Sequence, residues 1–480
     1  MARTTCIRSA DWVVAWDAKT GRHKYLRGAD VVFSGDTITH VGGRFTGAVD
    51  REIDGAKLMV MPGLINVHTH CASMPVFKGV REELGNPRFY MSALYDGWNL
   101  FYTEMDDRRW SAQYAYCEML LSGTTTVVDM CYPFPGWIDA MGASGIRGYV
   151  SPLYQSARWQ TENGFRLDYV WSDDKGAGDF KTAMDLIDQA ERHNSGRLLG
   201  LVSPMAVDTC TAELIRDSLA EARRRKRPYQ LHAGEAMMEF LEVTRRYGTT
   251  QIQWLAEHDL LGPDVIIGHG ILLDHHSWLH WSTRDDVRLL AENGCSVSHC
   301  PIVFSRYGIT LEDFGAYQKA GVNMTLGTDT HPHNLLEEMR AAATFGRVAA
   351  ENMFALKTAD IFHAATANAA KALGRDDIGM LAPGKKADIV LVNLDDPSMQ
   401  PVYDPIRCLI YTAADRAVRD VFVDGEQVVE NRLLKTLDFA LAAREVSRAQ
   451  RSVMERVPSR DHAKRTAEQV APLTLPVERA

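Results

Sequence analysis

PGLINVHTH, residues 62–70, is an apolar, β-rich run that ends in two histidines one residue apart. Side chains alternate along a strand with period two, so residues i and i+2 share a face, about 6.6 Å apart. His68 and His70 can therefore both reach one ion at about 2.0–2.1 Å. Taken alone, His-x-His also describes two surface histidines, so the rest of the chain has to give it meaning.

Seven further runs of the same texture follow: TTTVVDM (124–130), RGYVSPLY (147–154), LLGLVSPMA (198–206), YQLHAGE (229–235), VIIGHG (265–270), CSVSHCP (295–301) and NMTLGTD (323–329). Each is followed by a helical or loop segment. SAQYAYCEMLLSG (111–123), DDVRLLAENG (285–294) and NLLEEMRAAATFGRVAAEN (334–352) carry apolar residues at three- and four-residue spacing, and the first two close on glycine. Eight β-then-α units predict an α/β fold, a closed (β/α)₈ barrel of the TIM type over residues 61–377.

Both ends of the chain read differently. CIRSADWVVAWD (6–17), ADVVFSGDTITHVGG (29–43) and REIDGAKLMVMPG (51–63) are short alternating segments with Gly and Asp turns, and GKKADIVLVNLDD (384–396) and VRDVFVDGEQVV (418–429) resume that texture. Residues 1–60 and 378–435 are thus expected to build one small β-sandwich. Residues 436–480 are expected to form a charged helical tail with a loose end, packing on a neighbouring subunit in a homo-oligomer.

The chain has 480 residues, 46% hydrophobic and 24% charged, ordinary proportions for a globular protein with a large core. A formal net charge of −9 argues against nucleic acid as partner and for small molecules. Arg223-Arg224-Arg225-Lys226-Arg227 follows a helical pattern and reads as cations at a helix C-terminus. Residues 1–16, with Arg3, Arg8 and Asp11, read without the apolar stretch of a signal peptide, and no segment reaches the roughly 20 apolar residues of a spanning helix, so no membrane partner is expected. Eight cysteines without a CxxC pair read as reduced thiols, Cys71 and Cys300 included, in a cytoplasmic protein.

On the eight-run map His68 and His70 end the first run, His232 the fifth, His269 the sixth, His299 the seventh and Asp329 the eighth. Those are carboxyl ends of strands, the face where barrel enzymes hold their active sites. Three imidazoles and a carboxylate from His68, His70, His232 and Asp329, with one open position, suit zinc first, and also iron, cobalt or manganese. Such an ion brings the pKa of water towards about 7. Asp329 can also accept a hydrogen bond from that water. Glu235, three residues after His232, sits beyond a glycine that can turn its carboxylate back as general acid and base. His269 can polarise a carbonyl, orient hydroxide or bind a second ion. The fourth run ends without a Lys or Glu to bridge two ions, which favours a single one.

His299, His331 and His333 fit either a substrate pocket or ordinary loops. Trp98, with Met74, Phe101 and Phe304, fits either an aryl-binding wall or core packing. His275 and His276 read as solvated turn residues.

PGLINVHTH, HAGE, IGHG and LGTDT in this order, with EMLLSGTTTVVDM, SVSHCP and IGMLAPGKKADIVLVN, resemble the amidohydrolase superfamily, over a span from the N-terminal β unit to about Val429. Within it the chain is similar to the branch of cytosine and guanine deaminases, adenosylhomocysteine deaminase and triazine hydrolases. That resemblance implies a mononuclear site with His68, His70, His232 and Asp329 as ligands, while Glu235 and His269 act on substrate and proton. Two segments depart from it. Pro204-Met205-Ala206 stands where many deaminases of the branch have Pro-His-Ala, and HCPIVFSRYG and GTDTHPHN differ from their loops. These segments resemble hydrolases of phenylureas and thiocarbamates such as molinate.

The expected activity is hydrolysis of a C–N bond in a small amide, urea or carbamate, or deamination of an N-heterocycle. Hydrolytic dechlorination of a heterocycle is the alternative within this chemistry, and a non-catalytic barrel scaffold the alternative outside it.

Overall fold

The computed structural model describes residues 3–161 and 164–478. Its centre is a set of parallel strands buried on both faces: β1 (Leu64–Thr69), β2 (Thr124–Cys131), β3 (Arg147–Tyr154), β4 (Leu198–Gly200, continued by Ser203–Pro204), β5 (Tyr229–Ala233), β6 (Val265–His269), β7 (Ser296–His299) and β8 (Asn323–Leu326). Continuous apolar runs are what such strands require, because helices cover the outer face and side chains fill the inner one.

Parallel pairing joins β1 to β2, β2 to β3 and β3 to β4, and separately β5 to β6, β6 to β7 and β7 to β8. Bridges Val202↔Tyr229 and Ala206↔His232 link the β4 side to β5, and Thr69↔Asp329 links the end of β8 to β1. Two cross-links pin the last of these. Asn66 donates from Nδ2 to Thr328 Oγ1 at 2.9 Å and accepts from the Thr328 amide at 3.1 Å. Gly327 lies so close that a Cβ there would stand 2.6 Å from His68 Cβ, which explains the glycine of LGTD.

The chain ends meet. A seven-stranded sheet sets Ile389–Asn393 antiparallel to Leu58–Pro62, and a four-stranded sheet of N-terminal strands lies against it, with Phe33 and Phe422 rings 5.4 Å apart across a shared apolar cluster. CIRSADWVVAWD and REIDGAKLMVMPG each divide. Thr4–Ala10 and Arg51–Asp54 belong to the smaller sheet, Trp12–Asp17 and Leu58–Pro62 to the larger. The chain turns between sheets at Asp11 and at Gly55, where a Cβ would lie 2.3 Å from the Arg8 carbonyl.

The C-terminal helix Phe439–Arg460 buries Ala442, Val446, Ala449, Val453 and Val457 against its own chain. Tyr114 and Phe439 rings stand 5.0 Å apart where it crosses the helix Arg108–Leu121. Gln450 donates to the carbonyls of Val76 and Lys78 at 2.7 and 2.9 Å, and Arg460 to those of Leu100 and Tyr102. The helix thus braces the long connection after β1. The basic run is neutralised: Arg223 pairs with Asp264, Arg224 and Arg225 with Glu221, and Arg227 with Glu191. None of the eight cysteines is in a disulfide, and among the described residues no helix is long and apolar enough to cross a membrane.

Candidate metal centre and substrate cavity

At the carboxyl ends of the strands, His68, His70, His232, His269 and Asp329 are all buried within a few ångströms of one another. Asp329 Oδ1 is 3.2 Å from His70 Nε2 and 3.6 Å from His68 Nε2, and His70 Nε2 is 3.3 Å from His232 Nε2. Ligands bound tetrahedrally at about 2.1 Å stand about 3.4 Å apart, so these spacings fit one shared ion.

Each of the three rings is anchored through its other nitrogen. His68 Nδ1 is 2.5 Å from Gln230 Oε1, His70 Nδ1 2.5 Å from the Met130 carbonyl and His232 Nδ1 2.6 Å from the Met205 carbonyl. With the proton on Nδ1, every Nε2 presents a lone pair, the tautomer a metal ligand needs. Two such lone pairs 3.3 Å apart repel unless a cation lies between them. His68 Nε2 is also buried without a hydrogen-bond partner, which leaves its lone pair available to a ligand. The donor set therefore fits a divalent ion.

Electrostatics agrees. Burial lowers His70, but hydrogen bonding and charge from Asp329 outweigh it and push this imidazole up. Burial raises Asp329, yet His68 and His70 hold its carboxyl well below the usual range. Both directions say that positive charge is favoured between them. Burial, with the neighbouring imidazoles, holds His232 and His269 well below the ordinary histidine value, so both are neutral.

Other donors are near but differently disposed. Cys300 Sγ lies within 4.8 Å of ligand atoms of His68 and His269, but burial raises its thiol well above the ordinary value, so it stays protonated. His232, Glu235 and His269 form another close group, with Glu235 Oε1 3.9 Å from His269 Nε2. Both nitrogens of His269 are buried and without partners. His269 and Asp329 also hold φ of 77° and 56°, left-handed values that non-glycine residues take at a cost.

Glu235 is aimed by the turn before it. Gly234, at φ 68°, reverses the chain after β5, and the Glu239 carboxylate accepts the amides of Gly234, Glu235 and Ala236 at 3.2, 2.8 and 3.4 Å. Burial, then the charges of Asp329, Glu239 and Asp208, push the Glu235 carboxyl well up, with Arg81 opposing them. A carboxyl raised in this way is a better base than a solvated one and suited to passing a proton on.

A narrow, largely enclosed cavity opens over this cluster. His70, His232, Glu235 and Asp329 form its floor, and Met74, Trp98, Met205 and Phe304 are among its walls. Of the residues expected in the pocket, Trp98 lines it, whereas His299 and His331 do not. His299 packs against Phe314, and His331 turns Nε2 to Glu82 at 2.9 Å. Phe101 belongs to the core beside Phe77, and His333 is held by Glu118. His276, expected in solvent, is buried near Glu312. Arg81, Tyr307 and Gln230 were not singled out by the sequence. Gln230 was within reach of the same period-two rule, two residues before His232, while the connection holding Arg81 has no periodicity to read.

The profile of the amidohydrolase family matches residues 59–428. The chain is 30% identical over 438 residues to a 5'-deoxyadenosine deaminase of Methanosarcina mazei, covering 90% of this chain and 95% of that relative. Among solved structures it is similar to a triazine hydrolase from Arthrobacter aurescens, with a TM-score of 0.80, 25% identity, and coverage of 93% of this chain and 99% of that one. It is likewise similar to an adenosine deaminase from Xanthomonas campestris with bound zinc, with a TM-score of 0.79, 26% identity, and coverage of 94% and 98%.

Proposed function

Because the chain belongs to the amidohydrolase family, we propose that His68, His70, His232 and Asp329 hold one divalent ion, zinc in the first place, and that Glu235 and His269 act on a substrate beside it. The protein is a metal-dependent hydrolase of carbon–nitrogen bonds in small molecules. The observation that carries the site assignment is the convergence of three Nε2 lone pairs and one carboxylate at 3.2–3.6 Å spacings.

An ion held there supplies Lewis acidity and water activation near neutral pH. Glu235 takes the proton released by the attacking water and gives it to the departing nitrogen, which would otherwise leave as an anion. His269, neutral and unpartnered, hydrogen-bonds the oxygen that gains charge as the sp² carbon becomes tetrahedral. The apolar walls exclude water and suit an aryl or heterocyclic group.

The framework for this site is a (β/α)₈ barrel over residues 61–377, a reading supported by strand pairing and bridges that run from β1 through β8 and return to β1. The two terminal sheets are read as a β-sandwich of residues 1–60 and 378–435, supported by their common apolar cluster. Residues 436–480 are read as a helical tail, supported by the helix Phe439–Arg460 that braces the connection after β1. Self-association belongs to the reading as well, supported by exposed Val348, Met353 and Phe354.

Hydrolytic displacement of chloride from a ring is the second reading. Met205 favours it, since this wall residue offers no side-chain hydrogen bond to a ring nitrogen. Zinc-loaded protein is to be screened against ureas, carbamates, anilides, purines, pterins and chlorotriazines with mass detection, beside Glu235→Gln. Amine or ammonia release that disappears in Glu235→Gln is the expected outcome. Chloride release alone selects the second reading, and equal rates in both proteins remove Glu235 from the chemistry.

A further inference from the structure

Arg81 lies on the connection after β1, 3% exposed, and lines the same cavity as Glu235 and Asp329. No carboxylate among the described residues lies within 4.0 Å of its guanidinium. The carboxylate next to it in sequence, Glu82, is turned to His331 at 2.9 Å and Arg306 at 3.6 Å. Arg81 Nη1 reaches only the Met74 sulfur at 3.2 Å, its Nε is buried without a partner, and the Phe77 ring centre lies 5.1 Å away. Tyr307, on the cavity wall too, has its hydroxyl buried, with the Arg81 guanidinium as its charged neighbour.

A guanidinium withdrawn from water needs a paired anion, and thioether and phenyl contacts do not repay its lost hydration. The fold nevertheless holds Arg81 inward, lining the cavity with its Nε left without a protein partner. We propose that the substrate carries a carboxylate, remote from the bond that is broken, which docks on Arg81 with the Tyr307 hydroxyl as a second donor. The planar fork of Arg81 matches a carboxylate in a way an ammonium would not. The inference rests on reading this cavity as the substrate site, and it narrows that site to acidic small molecules with an apolar middle.

The test uses zinc-loaded, full-length protein carrying Glu235→Gln, so that binding is read without turnover, with Arg81 retained or replaced as Arg81→Met or Arg81→Lys. The probes are matched pairs, para-ureidobenzoate with para-ureidobenzamide and para-acetamidobenzoate with para-acetamidobenzamide, titrated calorimetrically. With Arg81 the carboxylate member binds tighter by roughly 100-fold, a typical scale for a desolvated charge pair. Arg81→Met abolishes the preference, Arg81→Lys keeps part of it, and zinc content stays the same in all.

Melting temperature gives a second readout. A group kept for binding leaves the melting point of Arg81→Met unchanged or raised, since an unpaired buried charge is gone. No carboxylate preference, a preference that survives Arg81→Met, or a clear drop in its melting temperature overturns the proposal. Turnover of the same pairs is measured separately, on protein with Glu235 intact. Its absence counts against the hydrolase reading of the site and leaves the binding result standing.

Discussion

Gln230 Oε1 lies 2.5 Å from His68 Nδ1, while Gln230 Nε2 donates to the Val67 carbonyl at 2.9 Å. One side chain on β5 therefore fixes the ring orientation and tautomer of a histidine on β1. Replacing it as Gln230→Leu is expected to lower zinc affinity about 10- to 100-fold, the usual scale for losing such an outer partner. Competition against a chromogenic chelator measures it. An unchanged affinity would mean that packing alone sets His68.

Glu235→Gln keeps the shape of the side chain and removes its proton exchange. Turnover should fall by about 10²–10⁴, while bound zinc stays at the wild-type level. Metal analysis next to rate measurement separates the two effects. Loss of zinc together with activity would recast Glu235 as a ligand.

Acid stability should carry the mark of His299, which burial holds at about 3, below the ordinary histidine value. The folded protein keeps this ring neutral, whereas the unfolded chain protonates it near 6.5. Its contribution is thus present above about 6.5 and is lost as pH falls from there towards about 3. At pH 5 the loss is about 2 kcal/mol from this group. Denaturant titrations of wild type and His299→Leu at neutral and acid pH should show that much less acid sensitivity in the variant. Equal sensitivity would place the acid lability elsewhere.

The brace from the C-terminal helix can be loosened at one residue. Gln450→Ala removes both hydrogen bonds to the Val76 and Lys78 carbonyls, each worth about 0.5–1.5 kcal/mol. Amide exchange should quicken in residues 74–104, and KM should rise more than kcat falls, because this connection supplies cavity walls and no reacting group. Exchange confined to the helix itself would argue that the brace does not reach the cavity.

These tests separate what could be read from the chain and what could not. Period-two alternation put His68 beside His70, and the run endings put His232, His269 and Asp329 on the same side of the fold, where they lie in one cluster. The same rule applied to Gln230, whose role depends on a neighbouring strand and so needed coordinates. Arg81 is held by irregular backbone with short 3₁₀ turns, and tertiary packing alone turns it inward. His331 reads like a site residue in TDTHPHN, but Glu82, distant in sequence, captures its ring. The division of the N-terminal runs was hidden for a similar reason: the close approach of Gly55 to the Arg8 carbonyl appears only when both sheets are in place.

The most direct measurement is anomalous diffraction from crystals of the zinc-loaded protein. The account predicts a single peak per chain, about 2.0–2.2 Å from Nε2 of His68, His70 and His232 and from an Asp329 carboxylate oxygen. A protein that takes up no zinc, or a peak beyond bonding distance of those atoms, would contradict it.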